Sequence, residues 1–526
     1  MSNVIRAALL AGLALFAITA TAASVEATLT IRADTPGPKI DANLHGQFME
    51  HLGRNVYEGI WVGENSPIPN TRGYRNDVLA ALKKLQIPVL RWPGGCFADE
   101  YHWRDGIGNR SKRPHRVNTF WGGVIEPNEF GTHEFFELAE LLGAKTYLAV
   151  NVGSGTVQEA SQWIEYITSP SQSSLANERR ANGRDKPWKI DYLGVGNEPW
   201  GCGGDMRPEY YADEYKKFAL NLKAPRDAQP VKVASGPYGD GYAWTEVLMK
   251  NAAPQMGGYS LHYYTLPSGS FEAKNKGPAL TFNEGDWIIT LKHTLAVEDM
   301  IRKHSAIMDK ADPDKRIGLY VDEWGTWYDV EPGTNPGFLF QQNTLRDAVV
   351  AGLNLNVFHA HADRVRMANI AQMINVLQAM VLTDKEKMLL TPTYHVFEMY
   401  KVFQDATLLP TDLSTPDYTV KSNDYADGPT SIPAVSVSAA RGANGAVLLA
   451  LVNTDPNKAA RVTTTIRGAQ PAKVSARVLT SAAMNTHNTF EKPNAIQPSN
   501  FDGAHRKGDT WVFDLPAKSV VVATLQ

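Results

Sequence analysis

The chain has 526 residues, of which 43% are hydrophobic and 20% charged, and its formal net charge at pH 7 is −3. This is the composition of an ordinary globular protein, and the length exceeds what one hydrophobic core usually supports, so we expect two domains. The weakly negative charge offers no basic surface for a nucleic acid.

The first 23 residues have the form of an export signal. Arg6 gives a positive start, residues 7–18 are apolar, and Ala20-Thr21-Ala22 is a small-residue cleavage site. An uncleaved anchor helix is disfavoured, because the run falls short of the about 20 apolar residues that cross a bilayer. We therefore expect a periplasmic or extracellular protein with no membrane contact after signal removal.

Strict alternation of apolar residues predicts a strand over Val25–Arg32. One strand is not stable alone, so it needs a sheet from elsewhere in the chain. The body that follows, residues 42–405, alternates strand and helix, and Thr156 to Glu159 has the form of a capping box before one helix. Eight strands are predicted, over 44–51, 87–95, 145–155, 190–199, 231–237, 258–264, 317–324 and 356–363. This pattern predicts an α/β fold, a TIM (β/α)8 barrel.

The pattern changes at residues 403–416, which are predicted to form a linker. Beyond it lie short strand-like runs separated by turn residues. We expect a C-terminal antiparallel β-sandwich, jelly-roll-like, over residues 406–526, and residues 24–41 to add their strand to it.

Two predicted barrel strands end in glutamates. The stretch IDYLGVGNEPW carries Asn197 and Glu198 at its end, and IGLYVDEW carries Glu323, each glutamate close to a tryptophan. The two glutamates are 125 positions apart (323 minus 198), which holds three barrel units of roughly 30 to 45 residues each. Both side chains should therefore enter the same C-terminal mouth of the barrel.

A pair of carboxyl groups about 5 to 5.5 Å apart is what cleavage of a glycosidic bond with retention requires. A strand-end glutamate is more often a surface ion-pair partner, but two of them beside tryptophans favour catalysis. Twelve tryptophans and twenty tyrosines also suit a sugar cleft, although core packing accounts for most of them. The residues alone indicate a carbohydrate hydrolase.

Several segments closely resemble the α-L-arabinofuranosidases of glycoside hydrolase family 51. They are HGQFMEHLGRNVYEGI, RWPGGCFADEYHWRDGIG, GVGNEPWGCGG, SLHYY, YVDEWGTWYD and HADRVRMANIAQMIN, and the resemblance extends over about residues 25 to 526. It implies a retaining, exo-acting enzyme that releases terminal arabinofuranose from arabinoxylan, arabinan or their oligosaccharides by double displacement. It implies no cofactor and no metal, and a homo-oligomer is compatible with it.

The same resemblance implies roles for individual residues. Glu198 would be the general acid/base and Glu323 the nucleophile. Arg91, by its place at the end of the second predicted strand and not by the resemblance, is expected to keep Glu323 ionised through a charge-assisted hydrogen bond, unless it only forms a structural ion pair. The residues expected to contact the sugar or orient the nucleophile are Glu50, Cys96, Asn197, His262, Tyr264, Trp327 and Gln372.

Cys96 departs from the family pattern, which often has an asparagine there, and a thiol is a poor hydrogen-bond partner. Cys96 and Cys202 are the two cysteines of the chain, and both follow predicted strands. The sequence does not decide between a disulfide bond and two free thiols.

Other functions fit the residues less well. The chain has no P-loop and no zincin helix, while His359 and His361 at a predicted strand end could hold a metal only with companions that are not evident. Rival hypotheses are an endoglucanase or xylosidase on the same scaffold and a non-catalytic sugar-binding protein.

Overall fold

The structure, a computed structural model, describes residues 24–526. The segment predicted to be an export signal, residues 1–23, lies outside the described residues. Within the described part, no helix is both long and apolar enough to cross a membrane.

Eight parallel strands form a closed barrel in which each strand pairs with the next along the chain and the last pairs with the first. The barrel strands are β2 (Gly46–Phe48), β3 (Val89–Trp92), β4 (Lys145–Val150), β5 (Tyr192–Val195), β6 (Val231–Ala234), β7 (Gly258–Thr265), β8 (Gly318–Thr326) and β9 (Val365–Ile370). The predicted (β/α)8 barrel is confirmed.

Each barrel strand is followed by a helix packed outside it. The helices are α1 (Asn76–Leu85), α2 (Thr132–Leu142), α3 (Val157–Thr168) with the additional α4 (Ser174–Ala181), α5 (Pro208–Asn221), α6 (Tyr242–Ala252), α7 (Glu284–Ala311), α8 (Leu345–Ala360) and α9 (Pro392–Tyr400). Local sequence sets their starts: the hydroxyl of Thr156 accepts a 3.1 Å hydrogen bond from the Glu159 amide at the start of α3.

The C-terminal domain is a sandwich of two sheets that includes the N-terminal strand β1 (Val25–Arg32). The other strands are β10 (Thr407–Leu408), β11 (Thr411–Ser414), β12 (Val435–Arg441), β13 (Val447–Asn453), β14 (Ala460–Arg467), β15 (Val474–Leu479), β16 (Ser499–Asn500), β17 (Ala504–Lys507), β18 (Thr510–Leu515) and β19 (Ser519–Leu525). The sheet orders are β11-β1-β14-β18-β17 and β10-β12-β13-β19-β15-β16. All neighbours are antiparallel except β1 and β14, which run parallel.

The segment predicted as a linker takes part in both sheets. Within residues 403–416, β10 pairs with β12 and β11 pairs with β1. Among the described residues, four two-stranded antiparallel hairpins lie outside these sheets, at residues 70–75, 116–126, 381–390 and 417–433.

The prediction of the eighth barrel strand was wrong. Residues 356–363, predicted as a strand, form the end of helix α8 and the turn after it, and the eighth strand is β9, Val365–Ile370. Helix α8 is buried along almost its whole length because it packs between the barrel and the sandwich, where Asn356 donates a 3.1 Å hydrogen bond to the Ser436 hydroxyl of β12. A helix that is buried on all sides has no amphipathic period, so a short part of it can resemble a buried strand in sequence.

Candidate active site

The two candidate glutamates face each other in one cavity at the carboxyl ends of the barrel strands. Glu198 follows β5 by three residues and Glu323 lies in β8, three barrel units further on. An oxygen of each carboxylate and a nitrogen of His262 lie within 4.8 Å of one another. The cavity has a volume of about 280 Å³.

Glu198 reaches into the cavity from a tight turn. Its backbone is left-handed, with φ of 41°, which is unusual for a residue with a side chain. The turn is closed by hydrogen bonds from the amides of Gly201 (2.8 Å) and Gly203 (3.1 Å) to the Glu198 carbonyl. Burial raises the pKa of Glu198, against the effect of the hydrogen bond from His262 and with the help of the nearby Glu323 charge. The protonated form is thereby favoured.

Glu323 is held by donors on both carboxylate oxygens. Arg91 of β3 donates to Oε1 at 2.7 Å, and the Tyr264 hydroxyl donates to Oε2 at 2.9 Å. A second nitrogen of Arg91 donates to Asn197 Oδ1 at 2.7 Å. A charge-assisted hydrogen bond from a guanidinium is short and directional, so these contacts hold the Glu323 carboxylate in one orientation.

His262 of β7 connects the two glutamates. Its Nδ1 lies 2.8 Å from Glu198 Oε1 and 3.6 Å from Glu323 Oε2, and its Nε2 lies 3.3 Å from Asp322 Oδ1. Burial opposes the charged imidazolium, but the negative charge of Glu323 and the hydrogen bonds to Asp322 and Glu198 raise the pKa of His262 to about 10. Asp322 also accepts a 2.6 Å hydrogen bond from the Tyr147 hydroxyl. A cation therefore sits beside three carboxyl groups.

Glu50 lines the same cavity, close to Glu323. Its Oε1 accepts hydrogen bonds from the amides of Gly95 (2.9 Å) and Phe97 (3.2 Å) and from the Trp121 indole (2.9 Å). Its Oε2 accepts from the Gln372 amide at 2.8 Å. Burial, with the neighbouring charge of Glu323, raises the pKa of Glu50 to about 7. Glu50 and Gln372 thus form a fixed pair of polar groups that lines the cavity.

Cys96 lines the cavity as expected, but as half of a disulfide with Cys202. The bond joins the loop after β3 to the turn after Glu198. The Cys202 sulfur lies 3.7 Å from Glu198 Oε2 and 3.8 Å from the Asn197 amide nitrogen. Because the two sulfurs are bonded to each other, Cys96 has no thiol hydrogen, and it presents a sulfur atom to the cavity that cannot donate a hydrogen bond.

The rim of the cavity is aromatic and apolar. Trp327 packs edge-on against Tyr264, with ring centroids 5.0 Å apart at 86°. Apart from Trp200, the tryptophan close to Glu198, the remaining rim residues were not predicted from the sequence, because loops carry no periodic signal. They are Leu52, Trp121, Trp200, Tyr238, Phe271, Leu339 and Leu377.

His359 and His361 do not lie at a strand end. They form the last turn of helix α8, where His359 Nδ1 is 3.0 Å from the Ser438 hydroxyl and His361 Nε2 is 3.8 Å from Glu298. The strand end that suggested a metal site there was part of the misplaced eighth strand.

The arrangement suits displacement at a sugar carbon. Carboxyl groups at about 5 Å separate an acid from a nucleophile in retaining glycosidases, whereas inverting enzymes leave about 6.5 to 9.5 Å for a water. Glu198 and Glu323 fall in the shorter class.

Comparisons with known proteins agree on one family. Residues 81–276 match the family model of the α-L-arabinofuranosidase 1 domain, and residues 322–519 match that of the α-L-arabinofuranosidase C-terminal domain. An intracellular exo-α-L-arabinofuranosidase of Bacteroides ovatus is 51% identical over 504 residues, which cover 96% of each chain.

Solved structures give the same result. The crystal structure of a GH51 arabinofuranosidase from Xanthomonas axonopodis pv. citri superposes with a TM-score of 0.92 at 55% identity, covering 95% of this chain and all of that one. An arabinose complex of the Thermotoga maritima α-L-arabinofuranosidase has a TM-score of 0.79 at 28% identity, covering 95% of this chain and 99% of that one.

One expectation is overturned by these comparisons. The sequence of residues 1–23 led us to predict export to a periplasm or the cell exterior, but the relative that is 51% identical over its length is an intracellular enzyme. The prediction of export was wrong, because a short apolar run with small residues after it is a weak signal by itself. The family, by contrast, is established over nearly the whole chain: the protein belongs to the α-L-arabinofuranosidases of glycoside hydrolase family 51.

Proposed function

We propose that this protein releases single terminal arabinofuranose units from arabinoxylan, arabinan or their oligosaccharides, with Glu198 as general acid/base and Glu323 as nucleophile. The observation that carries the assignment is the pair of carboxyl groups with opposite environments. Glu198 is buried beside another negative charge, which raises its pKa, while Glu323 receives hydrogen bonds from a guanidinium and a phenol. Such a division separates an acid from a nucleophile.

In the first step, a Glu323 oxygen attacks the anomeric carbon as the bond from that carbon to the leaving oxygen breaks. Glu198 gives its proton to the departing oxygen, so the aglycone leaves as an alcohol and a glycosyl-enzyme ester remains. Arg91 and Tyr264 fix the attacking carboxylate in one orientation. Little motion is then needed to reach the transition state.

In the second step, Glu198, now ionised, takes a proton from water while the water oxygen attacks the same carbon. The ester bond to Glu323 breaks, and arabinose leaves with its configuration retained. Between the steps the site holds a negative Glu198 that was neutral before. The His262 cation, 2.8 Å away, stabilises that charge.

Several polar side chains of the cavity are placed to bind sugar hydroxyls. Asn197, held by Arg91, lies next to the acid, where a hydrogen bond to the 2-hydroxyl would strengthen as charge develops at the ring. Glu50 and Gln372 would bind further hydroxyls, and Trp327 would form a wall. The cavity of about 280 Å³ lies at the lower limit of ligand sites, roughly 300 to 1,000 Å³. It suits one sugar at a chain end, which supports exo action over the cleft of an endoglucanase.

Leaving-group dependence tests the two roles. Replacing Glu198 by Ala removes the proton donor, so an arabinosylated oligosaccharide should lose several orders of magnitude in kcat/KM, while formation of the glycosyl-enzyme from an activated aryl arabinofuranoside loses far less. Azide should restore turnover and give an azide product of retained configuration.

Glu323→Ala is the matched variant and should lose activity on every substrate, because no ester can form. Azide could at best give an inverted product there. Equal losses in both variants on all substrates, with no response to azide, would show that the roles are assigned wrongly.

A further inference from the structure

The turn that follows Glu198 has an unusually flexible sequence. Residues 199–205 read PWGCGGD, so glycine stands on both sides of Cys202 and again at position 204. Glycine has more backbone freedom than any other residue, so this segment would sample many conformations without external restraints. Glu198 is nevertheless held in one left-handed conformation, which costs energy unless the surroundings impose it.

The disulfide is the covalent restraint on this turn. Cys202 is bonded to Cys96 in the loop after β3. Cys96 lies between Gly95 and Phe97, whose amides bind Glu50, so the bond anchors the turn to a part of the site that is itself fixed. The Trp200 indole adds a 3.0 Å hydrogen bond to the Gly236 carbonyl.

The bond also touches the acid/base directly. The Cys202 sulfur is 3.7 Å from Glu198 Oε2, and the Gly201 and Gly203 amides on either side of Cys202 donate to the Glu198 carbonyl. Movement of Cys202 would therefore displace both the backbone and the carboxyl group of Glu198. Both sulfurs belong to half-buried residues, and Cys96 lines the open cavity, so a small reductant has access.

We propose that the Cys96–Cys202 disulfide is a positioning element for the acid/base, and that its reduction selectively impairs proton transfer. This inference rests on the acid/base role proposed for Glu198. A dithiol delivers two electrons and two protons: its first thiolate attacks one sulfur to give a mixed disulfide, its second thiolate closes a cyclic disulfide, and the enzyme keeps two thiols. Glu323, held from β3 and β7 by Arg91 and Tyr264, stays in place.

The test compares two substrates before and after treatment of the full-length enzyme with a dithiol, with thiol formation verified by alkylation and mass spectrometry. For an arabinosylated oligosaccharide, kcat/KM should fall by about tenfold to a hundredfold, since a misplacement of ~1 Å can cost on the order of 100-fold. The step that forms the glycosyl-enzyme from an activated aryl arabinofuranoside, followed as a burst, should change far less, because it needs no proton. The double variant C96S/C202S should behave like the reduced enzyme and should not respond to the dithiol.

The outcomes separate this inference from the proposal beneath it. If Glu198→Ala shows the expected leaving-group dependence but reduced enzyme handles both substrates as before, the disulfide does not position the acid. Equal loss on both substrates, with a changed circular dichroism spectrum, would mean that the bond supports the fold and not Glu198, and it would also overturn the inference. If Glu198→Ala itself shows no such dependence, the proposed role of Glu198 fails first.

Discussion

Replacing His262 by Asn should shift the alkaline limb of the pH profile of kcat/KM to higher pH. The alkaline limb reports loss of the proton from the general acid in the free enzyme. His262 carries a positive charge 2.8 Å from Glu198, and this contact favours the ionised form of Glu198 and so lowers its pKa. Without the His262 cation, burial and the Glu323 charge raise the pKa of Glu198 against less opposition, with the Arg91 charge still lowering it, and Glu198 keeps its proton to higher pH.

The size of the shift follows from one charged hydrogen bond. Such a bond contributes about 1.5 to 3 kcal/mol, and one pKa unit corresponds to about 1.4 kcal/mol, so we expect a displacement of about 1 to 2 pH units. The maximum of kcat/KM should fall as well, because the ionised Glu198 of the second step loses its neighbouring cation.

The assay is initial-rate kinetics on an arabinosylated oligosaccharide from pH 4 to pH 10. His505→Asn, in an exposed strand of the sandwich, is the matched control and should leave the profile unchanged. An alkaline limb that stays in place or moves to lower pH in His262→Asn would refute the electrostatic reasoning.

Three further predictions concern stability and cofactors. Arg91→Met should lower the free energy of unfolding by about 3 to 5 kcal/mol, since removing one member of a buried ion pair leaves its partners uncompensated, and a denaturant titration measures this. Burial lowers the pKa of His45 to about 4 from 6.5, so the unfolded chain binds a proton at a higher pH than the native chain does. The free energy of unfolding should therefore fall by up to about 3 kcal/mol between pH 6.5 and pH 4 because of His45. In denaturant titrations at the two pH values, the His45→Gln variant should lack this contribution to the fall. Exhaustive chelation should leave activity intact, because neither Glu198 nor Glu323 needs a Lewis acid in this mechanism; loss on chelation with recovery on zinc would contradict it.

The barrel and its catalytic strands follow from local sequence. Alternating strand and helix patterns predict the (β/α)8 barrel, and the abrupt ends of two apolar strands at Glu198 and Glu323 predict a shared mouth. These features depend on residues that are neighbours in the chain. The prediction of the eighth strand failed because helix α8 is buried against the sandwich. A local sequence pattern does not show which helices are buried by contacts with a distant part of the chain.

The contacts that surround the two glutamates could not be predicted from local sequence. The bridging position of His262 between Glu198 and Asp322 depends on how β7 and β8 register, which sequence does not reveal. Likewise, two cysteines 106 positions apart in a 526-residue chain give no preference between a bond and free thiols until the loops are placed.

Double displacement requires that Glu323 forms a covalent ester with the sugar. A 2-deoxy-2-fluoro arabinofuranoside with a good leaving group slows both steps, the second more than the first, and so allows that ester to accumulate. Intact-protein mass spectrometry should show a gain of one fluoro-arabinosyl group, and peptide mapping should place it on Glu323. An active enzyme that takes up no label, or that carries it on another residue such as Glu50, would contradict the assignment of Glu323 as nucleophile.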